Sequence, residues 1–380
     1  MGGASALFAN CDNNHSELNS QCPPLYSLPS NLLGQLYFFV LVRPNNTFET
    51  TDTVKSDETP LQAGFLPWLA EPSIMINSSP PSAPTLLHGT FSGHETFVFR
   101  YGWLKKGLDG LKERSDIFSR DEAVASLGVG KNMVRAIRHW CLATGLLGEE
   151  DGRRGGLTPT EFGKFLLDEA DPYLERDGSL WLLHWHLATN PRRATTWYWA
   201  FNVQRESEWT RDTLQSRLTQ WAEAQGWSRL SPASLKADVS CFVRSYVPGR
   251  RGPASTPEET LDCPLATLGL ITEVEGDKRY RFNNRPKPTL PPVVFVYSLL
   301  DFWNHRRVEA STLSLRDITY GEGSPGRIFR LDEDGVLSYL DVLAGLTGGK
   351  LSFADTALIR QAVRHEQIDE MEFLRAHYSD

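Results

Sequence analysis

Four side chains capable of binding a polyanion stand together in the run KNMVRAIRHWC. At a helical period Lys131, Asn132, Arg135 and Arg138 share one face, while Met133, Val134, Ile137, Trp140 and Cys141 form an apolar stripe on the other. The stripe must meet a core, which leaves the polar face outward. Lysine and arginine reach phosphates or guanine edges, and asparagine can read adenine, so this face carries the side chains of a recognition helix. Downstream, Glu150-Asp151-Gly152-Arg153-Arg154-Gly155-Gly156 makes a polar, glycine-rich tip whose Arg153 and Arg154 suit a phosphate or an adjacent groove.

Other reactive groupings fail on spacing. Gly128-Val129-Gly130-Lys131-Asn132 imitates a phosphate-binding loop, but the required upstream glycine is Ala125 and the required Ser or Thr is Asn132. His94-Glu95 does not open a zinc-protease motif, since the second histidine would fall at Val98. His94, Glu95 and Arg100 are therefore expected to form a structural polar cluster that pins their segment to the domain. Cys241 and Cys263 lack a third ligand, so no metal, cofactor or catalytic residue is assigned.

The elements that position the basic face read as a winged helix-turn-helix over residues 88–170. A helix from Gly102 to Glu113 follows the aromatics Phe97, Phe99, Tyr101 and Trp103, and a short one spans Asp121 to Leu127 with Ala123, Val124 and Leu127 on one side. Gly128 and Gly130 make the turn, the basic helix starts at about Lys131, and Leu146-Leu147 begins a strand. Thr158 is expected to cap the next helix, with Pro159 at its first position and Glu161 three residues after the cap.

Residues 171–284 read as a helical core plus a second winged-helix-like unit. Trp181, Trp185, Trp197, Trp199 and Phe201 alternate with His184 and His186 in two buried helices, with Arg192 and Arg193 in the loop between them. Helices follow at Thr213 to Gln225 and after Ser231-Pro232, then a basic loop at Arg250-Arg251, a short helix capped by Thr256-Pro257-Glu258-Glu259, and a hairpin from Leu270 to Phe282 turning at Gly276-Asp277. A proline-rich linker from Arg285 to Pro292 leads to a C-terminal winged-helix-like unit, 293–365. There helices are expected at Val293 to Trp303 and Ser311 to Tyr320, with one or two more before a hairpin pairing Leu351 to Phe353 with Leu358 to Arg360. Ser324, Arg327 and Arg330 form the basic patch of this unit, and the acidic tail 366–380 is expected to fray. The fold class is thus mainly α with short β-hairpins, α+β, built from tandem winged helix-turn-helix-like units around a helical core.

The chain has 380 residues, 40% of them hydrophobic and 11% aromatic, which is enough for several cores. Its net charge of -8 means that any DNA contact rests on local basic patches, so binding should be modest and salt-sensitive. Residues 1–87 are rich in Ser, Pro, Asn and Thr, and read as a disordered extension or an upstream misplaced start, with Met75 as the alternative. Within it, Leu32 to Val42 could form a short element. The run from Leu36 to Val42 is too short to span a bilayer, and Cys11, Cys22, Cys141, Cys241 and Cys263 show no paired spacing. A cytoplasmic protein without membrane contact is expected.

The strings FSGHETFVFRYGWLKK, LGVGKNMVRAIRHWC, LWLLHWHLATNP with TTWYWAFN, and DCPLATLGLI, in this order, resemble the bacterial domain of unknown function 4007 family over about Thr90 to His365. The resemblance implies a helix-rich, helix-turn-helix-containing protein of DNA-phosphorothioation and phage-defence gene clusters, and carries no catalytic residues. The expectation is a non-catalytic accessory protein that contacts double-stranded DNA, modified or not, through Lys131, Asn132, Arg135, Arg138, Arg153 and Arg154. The alternative is a protein-interaction adaptor that holds a sulfurtransferase, ATPase or nuclease without touching DNA. A homodimer is compatible with either, although no heptad specifies one. An enzyme using His94 and Glu95 is the least supported of the three readings.

Overall fold

The computed structural model describes residues 89–150, 155–227, 230–249, 263–274, 278–307, 309–356 and 358–378. The extension 1–87 with its Leu32 to Val42 element and Met75, the thiols Cys11 and Cys22, Arg153 and Arg154, Arg250-Arg251, the Thr256 to Glu259 helix and the Gly276-Asp277 turn lie outside these residues.

The first segment follows its apolar spacing. Helix α1 (Trp103–Glu113) buries Trp103, Leu104, Leu108 and Leu111. Helix α2 (Ala123–Leu127) stops at Gly128, whose φ of 63° is open to glycine at little cost. Helix α3 (Lys131–Ala143) then buries Val134, Ile137, Trp140 and Cys141, as the stripe requires. Strands β1 (Leu147–Glu149) and β2 (Leu157–Pro159) pair antiparallel beyond it.

The expected cap at Thr158 is corrected, since Thr158 and Pro159 belong to β2. Helix α4 (Glu161–Lys164) is capped instead by Thr160, whose hydroxyl accepts from the Gly163 N–H at 2.9 Å. Thr160 also donates its hydroxyl to the Gly145 carbonyl at 2.7 Å, tying the end of β2 to the turn after α3. Thr158 is exposed on the strand and makes no such tie. A π-helical turn, Phe165–Ala170, continues α4. Gly163 presses on the same turn, where a Cβ would lie 2.1 Å from the Leu146 carbonyl oxygen. Gly163→Ala is therefore expected to destabilise the fold by roughly 1–3 kcal/mol, the usual range for overpacking. The urea midpoint measures this, and an unchanged midpoint would mean that α4 is not pressed against Leu146.

Helix α5 (Asp177–Ala188) is apolar around most of its circumference, which suits a helix surrounded by others. It packs with α6 (Thr195–Asn202), all of whose residues are buried. Helix α7 (Arg211–Ala224) is capped by Thr210, and α8 (Pro232–Tyr246) by Ser231 with proline at the first turn. A strand that the periodicity does not reveal, β3 (Glu208–Thr210), joins the hairpin of β4 (Ile271–Val274) and β5 (Arg279–Phe282) in the order β3-β5-β4. With three residues and one buried side chain, Trp209, it is too short to alternate visibly.

Helix α9 (Pro292–Arg306) opens the last segment. The helix expected from Ser311 is corrected to strand β6 (Thr312–Ser314) followed by α10 (Leu315–Tyr320). Ser314 makes the switch, because its hydroxyl accepts from the Asp317 N–H at 3.0 Å and starts the helix there. Three short helices follow, α11 (Pro325–Ile328), α12 (Glu333–Leu340) and α13 (Leu343–Leu346). Strands β7 (Leu351–Asp355) and β8 (Arg360–Arg364) complete a sheet of order β6-β8-β7, so the return strand lies further along than expected and Leu358 falls in the exposed turn.

From Asp369 to Tyr378 the tail is folded rather than frayed. Asp369 accepts from the Met371 and Glu372 N–H groups at 2.9 and 2.8 Å and caps α14 (Glu370–His377), which buries Phe373 and Leu374 and packs on α9. Arg375 reaches Glu161 and Glu169, and the Tyr378 hydroxyl meets that of Ser179 at 2.8 Å. Residues from all the segments share one apolar cluster, an α+β arrangement of helices with small antiparallel sheets. Among the described residues no helix is long and apolar enough to cross a membrane.

Candidate nucleic-acid interface

On α3 the inner face is fixed by a turn that precedes α1. Ser92, Glu95 and Thr96 all adopt positive φ, at 60°, 50° and 67°, which non-glycine residues hold only when neighbours compel it. The neighbours are identifiable. Trp140 donates its indole N–H to the Phe97 carbonyl at 3.0 Å, Cys241 donates its thiol to the same oxygen at 3.4 Å, and Arg244 donates to the Thr96 carbonyl.

His94 is buried inside this turn. Its Nδ1 accepts the Thr96 N–H at 3.1 Å, so Nε2 carries the hydrogen and donates to Asp238 Oδ1 at 2.8 Å. Asp238, 2% exposed, also accepts from the Ser92 N–H at 2.7 Å and from the Thr196 hydroxyl. His94 further stacks on Trp140 with ring centres 5.9 Å apart. The adjacent His139 is held down to about 3, first by burial and then by His94. His94 has no exposed surface through which a substrate could reach it, so its geometry is that of a pin.

The three residues expected to cluster here separate. His94 points inward, Glu95 reaches Arg135 at 3.5 Å, and Arg100 lays its guanidinium over the Trp103 ring at 5.3 Å. Asp238, Ser92 and Thr196 take the other places in the cluster. A signal for Asp238 exists in the sequence, since a carboxylate sits within the apolar stripe of Leu235, Val239 and Phe242.

Outside, Lys131, Asn132 and Arg135 are exposed and Arg138 is half-buried. Lys131 lies 3.7 Å from Asp121, and Arg135 is similarly distant from Glu95. Exposed pairs at such distances contribute little and can exchange for phosphate oxygens. Burial, then the nearby Arg193, lowers the Arg138 guanidinium from its ordinary value, with Glu149 opposing. Arg193 itself pairs with Glu149 on β1. The structure thus extends the basic face of α3 to Arg193, in the loop after α5, which helical spacing alone could not place.

Elsewhere, Asp301, His305 and Glu370 bring one ligand atom each within 4.8 Å of one another. Their donors are already engaged: Asp301 accepts from the Trp185 indole at 2.8 Å and meets His305 at 3.1 Å, and Glu370 accepts from Asn304 at 2.7 Å. Asp301 holds the His305 imidazole protonated, up to about 9. Cys141, Cys241 and Cys263 are buried, and burial pushes the Cys141 thiol up to about 12. These thiols fill core positions.

No curated protein matches the chain. Two crystal structures resemble it at 32% identity: SspB, with a TM-score of 0.68 over 77% of this chain and 87% of that one, and magnesium ion-bound SspB, with 0.69 over 77% and 88%. Residues 91–378 match the proteins of unknown function DUF4007. The chain belongs to the DUF4007 family.

Proposed function

We propose that the chain contacts duplex DNA as an accessory protein of a bacterial DNA-modification or defence system, with α2 and α3 as a helix-turn-helix and β1-β2 as its wing. One observation carries the reading: Lys131, Arg135 and Arg138 lie on the outer face of a helix whose other face is clamped to the core, and Arg193 stands near Arg138. The clamp matters because a reader helix must be held rigidly to register on the duplex. The DUF4007 resemblance supports a phosphorothioation setting, and the His94–Asp238 pair serves the fold rather than a reaction. Magnesium, bound by SspB in one crystal, prefers an all-oxygen shell, which the protonated imidazole of His305 between Asp301 and Glu370 does not offer.

Fluorescence anisotropy with a short duplex, titrated over salt, tests the reading. Each phosphate contact contributes about 0.9 to the slope of log affinity against log salt, so four cations predict a slope of about -3 to -4. Arg135→Glu with Arg138→Glu should abolish binding while circular dichroism stays unchanged. Affinity that survives this change would overturn the assignment of α3. Absence of binding to the unaltered chain at low salt would favour the adaptor reading, with which the net charge of -8 agrees. A preference between normal and phosphorothioate duplexes, compared side by side, would place the protein in the modification pathway.

A further inference from the structure

Three arginines converge on a cavity of about 300 Å³ between the end of α6, the end of α10 and the start of α12, and no residue of α3 is among its lining. Arg330 has a φ of 56°, and its guanidinium lies over the rings of Phe282, at 3.6 Å, and Phe201, at 5.4 Å. Its Nη2 donates to the Ala200 carbonyl at 2.8 Å, and its Nε is buried without a partner. Arg327 donates to the Tyr320 carbonyl at 2.8 Å, and Arg205 is exposed at the rim.

Three guanidinium groups face one lining carboxylate, Asp332, with Glu322 acting on Arg327 from nearby. Among the described residues none of the three arginines forms an ion pair. Of the nearby acids, Asp332 accepts the Gly335 N–H at 2.8 Å as the cap of α12, and Glu322 accepts the Tyr198 hydroxyl. Burial and mutual repulsion bring Arg330 down to about 9 and Arg327 to about 10. Gln204, 4% exposed, uses its Oε1 to accept the Arg205 N–H at 2.9 Å, and its Nε2 is buried without a partner. Guanidinium forks match phosphate oxygens bidentately, and an anion here would relieve the repulsion. Tyr320, half exposed on the same cavity, offers an aromatic face on which a base can stack.

We propose that this cavity binds the phosphate group of a nucleotide, with Arg205, Arg327 and Arg330 on the oxyanion and Tyr320 against the base. The nucleotide could be free or part of a DNA strand, and the two sources are separable. Isothermal titration calorimetry of the full chain with inorganic phosphate and with AMP should show binding of both, AMP the tighter. Arg327→Gln and Arg205→Gln should each weaken both ligands roughly tenfold, the usual effect of losing a charged hydrogen bond. Tyr320→Ala should reduce AMP to the affinity of phosphate. AMP binding should persist in the Arg135→Glu, Arg138→Glu variant, so this inference and the DNA reading fail separately. Displacement of AMP by a 5′-phosphorylated oligonucleotide would assign the site to a strand, and lack of displacement to a free nucleotide. No heat with either phosphate or AMP at millimolar concentration would overturn the proposal, as would affinity unchanged in Arg205→Gln, the exposed position where folding is not at stake.

Discussion

Asp238→Ala should destabilise the protein by roughly 3 kcal/mol or more, because one carboxylate satisfies three donors in a site sealed from water. The Ser92 N–H, the His94 imidazole and the Thr196 hydroxyl would all lose their acceptor at once. The first two belong to a turn with three positive-φ residues, which these bonds help to hold. Release of that turn should also loosen the Glu95 contact with Arg135 on the outer face of α3. Asp238→Asn should be milder, since the remaining carbonyl oxygen can still accept from Ser92 and His94 while the Thr196 hydroxyl turns to accept. Urea unfolding of both variants checks the ordering. A loss in Asp238→Ala below about 1 kcal/mol, the net value of one ordinary hydrogen bond, would show that the turn does not depend on this carboxylate.

The contrast between α3 and its surroundings shows what a sequence exposes. The helix was legible because burial repeats every three or four residues from Val134 to Cys141, and a repeat of that length is local. Asp238 was not, because its partners are 146, 144 and 42 positions away and only the fold brings them together. The same holds for Arg193, which joins the basic stripe across a long loop closure. Caps failed where two candidates stood close: Thr158 and Thr160 differ in whether the hydroxyl reaches Gly145, and that is tertiary information. The tail was misread from its charge, since the pair Phe373 and Leu374 that docks it is a small signal among acidic neighbours. The patch of Ser324, Arg327 and Arg330 was visible as charge, but its convergence with Arg205 and Gln204 was not.

Acid should undermine this fold well before its carboxylates titrate. Burial holds His139 and His184 down to about 3 and His186 to about 4, all from an ordinary value of 6.5. The hydrogen bonds at His184 agree with a neutral ring: Nε2 donates to the Ile328 carbonyl at 3.1 Å, leaving Nδ1 to accept from the Tyr246 hydroxyl at 2.8 Å. Below pH 6.5 the unfolded chain takes up protons that the folded chain refuses. Stability is therefore full above that pH and is lost as pH falls toward 4 for His186 and toward 3 for His139 and His184. Each histidine contributes about 1.4 kcal/mol per pH unit within the window, so the three together would remove about 6 kcal/mol by pH 5. That is comparable with the whole stability of an ordinary domain. His305 does not offset the loss, because its pKa of about 9 is raised, so its contribution is already complete below 6.5 and declines only on the alkaline side. Lys287, lowered by burial to about 8, likewise changes stability only above that pH. Denaturant unfolding at pH 7, 6 and 5 measures the slope, and a flat stability across that range would mean that these rings take up protons as readily in the native state as in the unfolded chain.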